Sequence, residues 1–456
     1  MNQNFASKTV HRAVKYRAFP SPTLILKLEA HFLACEQIFN YLLDANEAYR
    51  NQYHTDMDGR TLASLAAKEG RKYPITNRQA AYYVAPRLIY GLIRSRKEGE
   101  GTLKKKEVGG IKASFTINCS NPTFTHIRGG AKKRASLNIP LIGDIEIVNH
   151  RETPENAKFK LITVSRNPSG HYFVSLDYEI PHDSLTGPAQ VKKPLGLDFS
   201  VPKLFVASDK TLSPEADMLL VRKRYANKIN ALHRQLSHCR KGSNNYLKIR
   251  QRLAKVYQRI DNIKNDFIHK QTHYIVNSYD FVGVETLSLK EMCERFKFYN
   301  AVHDDSWYHF VSVLKYKMED AKKQLRFVSR YYPSSKTCHR CGYIKHDLKL
   351  SDREYVCPIC HNKADRDYNA AKNIRDQALR DAGYRIHYNS TPKPNPGQNQ
   401  NPPSGPAQLG VSPPIPNLEP NKDNPLPNAS GDNAPTRQEG SPPSSPIVPI
   451  KRNNVL

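Results

Sequence analysis

The sequence predicts a multidomain α+β protein, on three observations. Apolar residues at helical three- and four-residue spacing and β-rich runs occupy separate stretches of the chain. The texture changes near residue 110 and again at Pro194. The 456 residues suffice for about three domains with real cores, yet from Thr391 onward no pattern would build one.

Val10 to Phe19 (VHRAVKYRAF) reads as a strand, stopped by Pro20 and Pro22. Leu24, Leu28, Phe32, Cys35, Ile38, Phe39 and Leu42 then recur at helical spacing. Helical signals continue over residues 78–97, broken near Pro86. Residues 112–180 hold short β-rich runs (FTINCS, SLNIPLI, IEIVNH, KLITVSR, YFVSLDYEI) separated by Gly, Asn and Pro, which predict a small β-barrel or sandwich. PLGLDFS, from Pro194, and LFVAS read as a strand hairpin turning at Val201 to Lys203. Between Arg222 and Lys270 two helical patterns, broken at KGSNN (241–245), predict an antiparallel helical hairpin. DFVGVETL (280–287) reads as an apolar strand. Asp304 and Asp305 are expected to cap a helix whose apolar positions are Trp307, Phe310, Val311, Leu314, Met318 and Ala321. QLRFVSRYY follows as a strand.

The net charge is +28. The segment from Thr391 holds 17 of the 32 prolines, with five Lys/Arg against four Asp/Glu, so it adds only +1. Its composition cannot offset the entropy of ordering, and it is expected to be disordered and dispensable. The excess charge therefore belongs to the remainder and points to a polyanionic partner, nucleic acid first. The stretch from Arg222 to Lys270 carries 14 Lys/Arg against two acids. That is too one-sided for mutual ion pairs, so this hairpin is expected to face nucleic acid rather than only water. No run of 18 apolar residues exists, and the first residues lack the apolar stretch of a signal peptide. A cytoplasmic, nucleoid-associated protein without membrane contact is expected.

Of eight cysteines, Cys35, Cys119, Cys239 and Cys293 are scattered singly. Cys338 and Cys341, then Cys357 and Cys360, form two Cys-x-x-Cys pairs separated by 15 residues. This is the spacing of a two-knuckle zinc ribbon. Four thiolates close a tetrahedron at about 2.3 Å per bond and leave no open position, so the Zn²⁺ is expected to be structural. The adjacent His339 and His361 are expected at the surface and not among the ligands.

Three acids lie where an apolar element meets its end: Asp198 inside LGLDFS, Glu285 closing VGVE, and Asp367 opening DYNAAKNIRDQAL. Asp367 could be a simple helix cap and Glu285 an exposed strand end. Asp198 is harder to dismiss, because an unpaired carboxylate in an apolar strand is costly. Three carboxylates brought together repel one another unless divalent cations intervene, and Mg²⁺ prefers oxygen ligands. Two such ions about 4 Å apart can activate water and stabilise a leaving 3′-oxygen. The order strand-Asp, hairpin, strand-Glu, helix, strand, helix-Asp is what a ribonuclease-H-like nuclease fold needs.

These stretches resemble the TnpB family, the accessory proteins of bacterial insertion sequences, which are related to type V CRISPR effectors. The resemblance rests on LGLDFSVPKLFVAS, KGSNNYLKIRQRLAKVYQRIDNIKNDFIHK, VGVETLSLKEM, WYHFVSVLKYK with RYYPSSKTCHRCG, and CPIC with DRDYNAAKNIRD; the N-terminal KYRAFPSPTLILKLEAHFLACEQIFNYLL is also similar. It covers about residues 10–385. It implies a RuvC-like nuclease with Asp198, Glu285 and Asp367 as its Mg²⁺-binding catalytic triad, Asp198 and Asp367 sharing metal and Glu285 holding a second ion. Asp365 is then a bystander, because the family pattern sets the catalytic acid directly before x-Asn-Ala-Ala. It also implies a guide RNA transcribed from the element's end, cleavage of double-stranded target DNA beside a short adjacent motif, and the element's transposase as a further partner. Two positions depart from the family pattern, Ser200 in place of a frequent Gly and Ser288 in place of a frequent Asn.

With the resemblance, the expected organisation is a β-barrel wedge (1–22 and 110–190), a helical recognition insertion (23–109), and a RuvC-like domain (191–335 and 363–388) with a basic hairpin at 214–277. A zinc-ribbon insertion (336–362) and a disordered tail (389–456) complete it. Tyr83, Tyr90, Arg94 and Arg96 are candidates for stacking and phosphate contact, with ordinary packing of the tyrosines equally expected. Two other functions remain: a nuclease-inactive nucleic-acid-binding regulator, and a transposase attacking with a 3′-hydroxyl.

Overall fold

The structure is a computed structural model, and it describes residues 9–74, 76–97, 103–119, 127–128, 133–151, 153–154, 157–181, 191–200, 203–210, 212, 218–287, 306–349, 351–388 and 409–412. Strand β1 (Thr9–Phe19) lies inside a seven-stranded antiparallel sheet. Its order is β2 (Ala113–Asn118), β6 (Lys158–Arg166), β7 (Tyr172–Pro181), β1, β5 (Gly143–Asn149), β4 (Lys133–Ile139) and β3 (Ile127–Arg128). Along β1, Val14, Tyr16 and Ala18 alternate inward. They share one core with helices α1 (Pro22–Tyr53), α2 (Gly59–Gly70), α3 (Arg78–Tyr82) and α4 (Val84–Lys97). The runs at 112–180 therefore join β1 in one sheet backed by helices, and no second sheet faces it among the described residues. Helix α1 starts where Ser21 Oγ accepts from the Leu24 N–H at 3.3 Å and Pro22 takes the first helical position. The break between α3 and α4 falls at Tyr83, which leaves Pro86 in the first turn of α4, where its missing N–H breaks no helical bond.

The second sheet has the order β11 (Gln324–Val328), β10 (Phe281–Glu285), β8 (Pro194–Ser200) and β9 (Leu204–Ala207). The first three strands are parallel, and β9 returns antiparallel to β8. Alternation along β8 and β10 sends Leu195, Leu197, Val282 and Val284 to one face. There they pack on Trp307, Phe310, Leu314 and Met318 of α7 (Ser306–Asp320) and on the C-terminal part of α6 (Asn244–Ser278). Val313 joins the buried stripe of α7 and the expected Val311 packs partly buried against the same core, whereas the expected Ala321 falls past the helix end and is exposed; the expected caps Asp304 and Asp305 lie outside the described residues. On the other face α8 (Arg366–Asp381) places Ile374, Ala378 and Leu379 against Phe281 and Val328. Helix α5 (Met218–Ser237) pairs with α6 around a separate small core of Ile229, Leu232, Ile249, Leu253, Val256 and Ile260. Arg12 of β1 and Arg151, just past the end of β5, clamp the end of α7, with ion pairs to Glu319 and Asp320 at 3.0–3.1 Å.

Between β11 and α8, strands β12 (Glu354–Val356) and β13 (Lys363–Asp365) form the ladder of a cysteine ribbon. One correction concerns the tail. Leu409–Ser412 forms β15, paired antiparallel with β14 (Arg385–Tyr388), so the expected disorder from residue 389 does not hold there. The rest of that segment lies outside the described residues.

Candidate active site and metal centre

The parallel register sets Leu197 of β8 opposite Val284 of β10, so Asp198 and Glu285 stand side by side where the strands end. In open α/β sheets this end of the strands is where ligands bind. The same alternation that buries Leu197 and Val284 under α7 turns Gly196, Asp198, Gly283 and Glu285 toward α8. A Cβ built on Gly196 would fall onto the Ala371 carbonyl oxygen and lie 2.6 Å from the Arg375 nitrogen. One on Gly283 would lie 2.6 Å from Ala378 Cβ. The two glycines thus let α8 approach the sheet closely, and its first turn brings Asp367 to the other two acids.

Asp198 is 9% exposed. Burial, then the charges of Glu285 and Asp367, push its carboxyl well above the ordinary carboxylate range, against the opposing Arg366. Glu285 is also raised, by burial first, while the Phe199 N–H donating to its Oε1 at 3.1 Å and a hydrogen bond from Asp198 hold it down. The two carboxyls thus share a hydrogen bond, and burying them together raises both. Arg366 grips Asp367 Oδ1 through Nε and Nη2 at 3.1 and 3.0 Å. Among the described residues, only the four cysteines of the ribbon bring all their ligand atoms within 4.8 Å of one another. The three acids converge more loosely, within electrostatic reach of one another. Hard oxygen donors carrying more charge than one arginine balances are the donor set of a divalent cation such as Mg²⁺.

The helix cap is Asp365, not Asp367. Its Oδ1 accepts from the Tyr368 N–H at 2.8 Å, and Asp367 sits two residues on, within the first turn, where an acid is favoured by the helix dipole.

Cys338, Cys341, Cys357 and Cys360 converge, with Sγ–Sγ separations of 3.6 Å (Cys338–Cys360) and 3.5 Å (Cys341–Cys357). A tetrahedron with bonds of ~2.3 Å has edges of ~3.8 Å, so the cluster fits a structural zinc site. Both knuckles have the same local design. The Gly342 N–H reaches the Cys338 carbonyl and the His361 N–H the Cys357 carbonyl, at 2.8 and 3.1 Å. Gly342 and His361 both adopt positive φ, at 77° and 55°. Burial raises Cys357, but N–H groups of Cys360 and Ile359 and the thiols of Cys341 and Cys360 outweigh it and bring it down to about 7. Cys338 is pushed up to about 12, by burial first. His361 is exposed as expected. His339 is not: its ring is half-sheltered with Nδ1 3.2 Å from Asp376 Oδ2.

Two asparagines that sequence reasoning passed over join the ribbon to α8. Asn369 Oδ1 accepts from the His339 N–H at 3.0 Å, and its Nδ2 donates to the Thr337 carbonyl at 2.7 Å. Asn373 Nδ2 donates to the Ser334 and Thr337 carbonyls at 2.7 and 2.6 Å. The signal was the spacing of Asn369, Asn373 and Asp376, three polar residues along one helix face; all three are buried.

A cleft of about 500 Å³ opens between β9, the ribbon and the start of α8. Lys203, Lys210, Lys363 and Lys372 line it with Tyr368, whose ring lies 4.9 Å from Lys210 Nζ and 4.5 Å from Lys372 Nζ. On the basic hairpin most Lys and Arg side chains are exposed; Lys270 pairs with Asp266 at the surface, and the half-buried Arg250 pairs with Glu107. Tyr90 and Arg94 are exposed on α4, whereas Tyr83 is partly buried and its hydroxyl accepts from Asn118 Nδ2 at 3.2 Å; the Arg96 side chain lies outside the described residues. No helix among the described residues is long and apolar enough to cross a membrane.

Two family models match the chain: "Cas12f1-like, TNB domain" over residues 307–374 and "Probable transposase" over residues 175–295. A protein of Streptomyces pristinaespiralis, named as a candidate RNA-guided DNA endonuclease, is 29% identical over 387 residues, covering 80% of this chain and 89% of that protein. The TnpB-like protein L79 of Acanthamoeba polyphaga mimivirus is 32% identical over 142 residues, 29% of this chain and 26% of that protein. Among solved structures, a Cas12f1–sgRNA–target DNA complex matches with a TM-score of 0.53 and 12% identity, over 80% of this chain and 99% of that one; this is a likeness of fold.

Proposed function

We propose that the chain, as a member of the TnpB family, is an RNA-guided DNA endonuclease of a transposable element that hydrolyses phosphodiester bonds of target DNA with Mg²⁺. The observation that carries this reading is the meeting of Asp198, Glu285 and Asp367, from three elements far apart in sequence, at one end of a parallel sheet. These carboxylates would hold two divalent cations, which when bound activate water and stabilise the leaving 3′-oxygen.

The chain's own residues do the positioning. The Phe199 N–H orients Glu285, Arg366 orients Asp367, and Gly196 and Gly283 set the distance between sheet and helix. The lysine-lined cleft and Tyr368 suit a phosphate backbone and an unstacked base. The basic hairpin suits guide or target backbone. The large sheet is the wedge in this reading, α1–α4 the recognition insertion, the small sheet with α7 and α8 the RuvC-like domain, and the ribbon its zinc insertion. The guide RNA comes from the element's end.

The match to a transposase model over 175–295 favours one alternative, strand transfer by a 3′-hydroxyl at the same carboxylates. Incubating the full chain with guide RNA, matched plasmid and Mg²⁺ separates the two. Linear plasmid with 5′-phosphate ends is expected; products joined to a donor DNA end would establish strand transfer instead. An intact plasmid under conditions where the ribonucleoprotein binds would refute both.

A further inference from the structure

We propose that Asn369 and Asn373 are positioning residues through which the zinc ribbon sets the cation affinity of the three carboxylates. This rests on the cation reading above.

Helix α8 has two working faces. Ala371, Ile374 and Ala378 press on the sheet, where Gly196 and Gly283 admit them. Asn369, Asn373 and Asp376 turn toward the ribbon. Asn369 and Asn373 are 1% and 4% exposed. A buried amide is costly unless paired, and apolar residues would fill this face at no such cost. Both amides direct their bonds to the backbone around a single zinc ligand. Asn369 takes the N–H of His339 and the carbonyl of Thr337, the two residues that flank Cys338. Asn373 adds a second bond to Thr337 and one to Ser334.

The path is short. Cys338 is held by the zinc cluster, Asn369 brackets Cys338, and Asp367 lies two residues before Asn369 on the same helix. Directional bonds to backbone define one rotation and one height of α8. A shift of α8 that opens them also moves Asp367 relative to Asp198 and Glu285, which are fixed in the sheet. The ribbon thus does for Asp367 what an outer partner does for any metal-ligating side chain: it fixes the orientation before the ion arrives.

The test uses the full chain and Mn²⁺ as the probe. Binding is measured by calorimetry, with Asp198→Ala defining which Mn²⁺ binding belongs to the carboxylates. Asn369→Leu and Asn373→Leu keep the side-chain volume and remove the hydrogen bonds. Asn369→Asp keeps the acceptor for His339 and loses the donor to Thr337. With zinc content still one per chain, the Leu variants are expected to bind Mn²⁺ about 10–100-fold more weakly, with Asn369→Asp between them and the parent. Amide exchange over residues 366–371 should quicken, and nucleic-acid binding should hold. Parent-like Mn²⁺ affinity and parent-like exchange in zinc-loaded Leu variants would overturn the coupling alone. A parent chain with no Asp198-dependent Mn²⁺ binding would overturn the cation reading and the coupling with it.

Discussion

Gly196 of β8 lies against Ala371 of α8 so closely that a Cβ on the glycine would overlap the alanine's carbonyl oxygen. The clash would be with backbone, so no side-chain rotation relieves it. Gly196→Ala should push α8 off the sheet, at about 1–3 kcal/mol of stability, the usual cost of overpacking. Denaturant unfolding measures that loss. Cleavage should fall more steeply than stability, because Asp367 rides on the displaced helix. A variant as stable and as active as the parent would show that α8 has room this geometry denies.

The ribbon should hold one Zn²⁺ per chain by elemental analysis. Binding at such sites contributes on the order of 10 kcal/mol or more to local folding. Cys357→Ser should therefore lose the ion, open the β12–β13 ladder and reduce cleavage through α8. Metal-free protein, purified without chelator yet fully active, would contradict this.

Replacing several exposed Lys and Arg of the α5–α6 hairpin with Gln should weaken nucleic-acid binding across all sequences. The slope of log affinity against log salt should flatten by about 0.7–0.9 for each phosphate no longer neutralised. An unchanged slope would mean that the hairpin's charge only meets water.

The β14–β15 pairing divides the C-terminal segment for testing. A chain stopped after Pro413 retains the ladder and should unfold and cleave like the parent. One stopped after Ser390 loses β15, leaves β14 unpaired and should melt earlier. Equal melting of the two truncations would show that the ladder adds no stability.

Much of this architecture was legible in the residues because period and spacing carry it. The strands at Asp198 and Glu285 stand out as apolar runs, and the knuckles by Cys-x-x-Cys spacing. Other features were not legible, because they depend on what a residue meets across the fold. Asp365 and Asp367 are both plausible caps in one dimension, and only backbone geometry gives the cap to Asp365. His339 looks like a spare beside Cys338 until Asp376 closes on it. The β15 strand hides in a proline-rich background, since four residues become a strand only when β14 offers an edge.

The most direct test is plasmid cleavage with guide RNA and Mg²⁺, run beside a binding assay, for Asp198→Ala, Glu285→Ala and Asp367→Ala. Each should abolish cleavage and leave nucleic-acid binding nearly intact, and combining them should cost little more, since residues that serve one metal pair act as a unit. Asp365→Asn is the internal control. It keeps the cap of α8, whereas Ala there would itself cost about 0.5–2 kcal/mol. The control should cut like the parent. Cleavage that survives in Asp367→Ala but fails in Asp365→Asn would put the third carboxylate at the wrong residue, and cleavage that survives in all three alanine variants would contradict the nuclease reading itself.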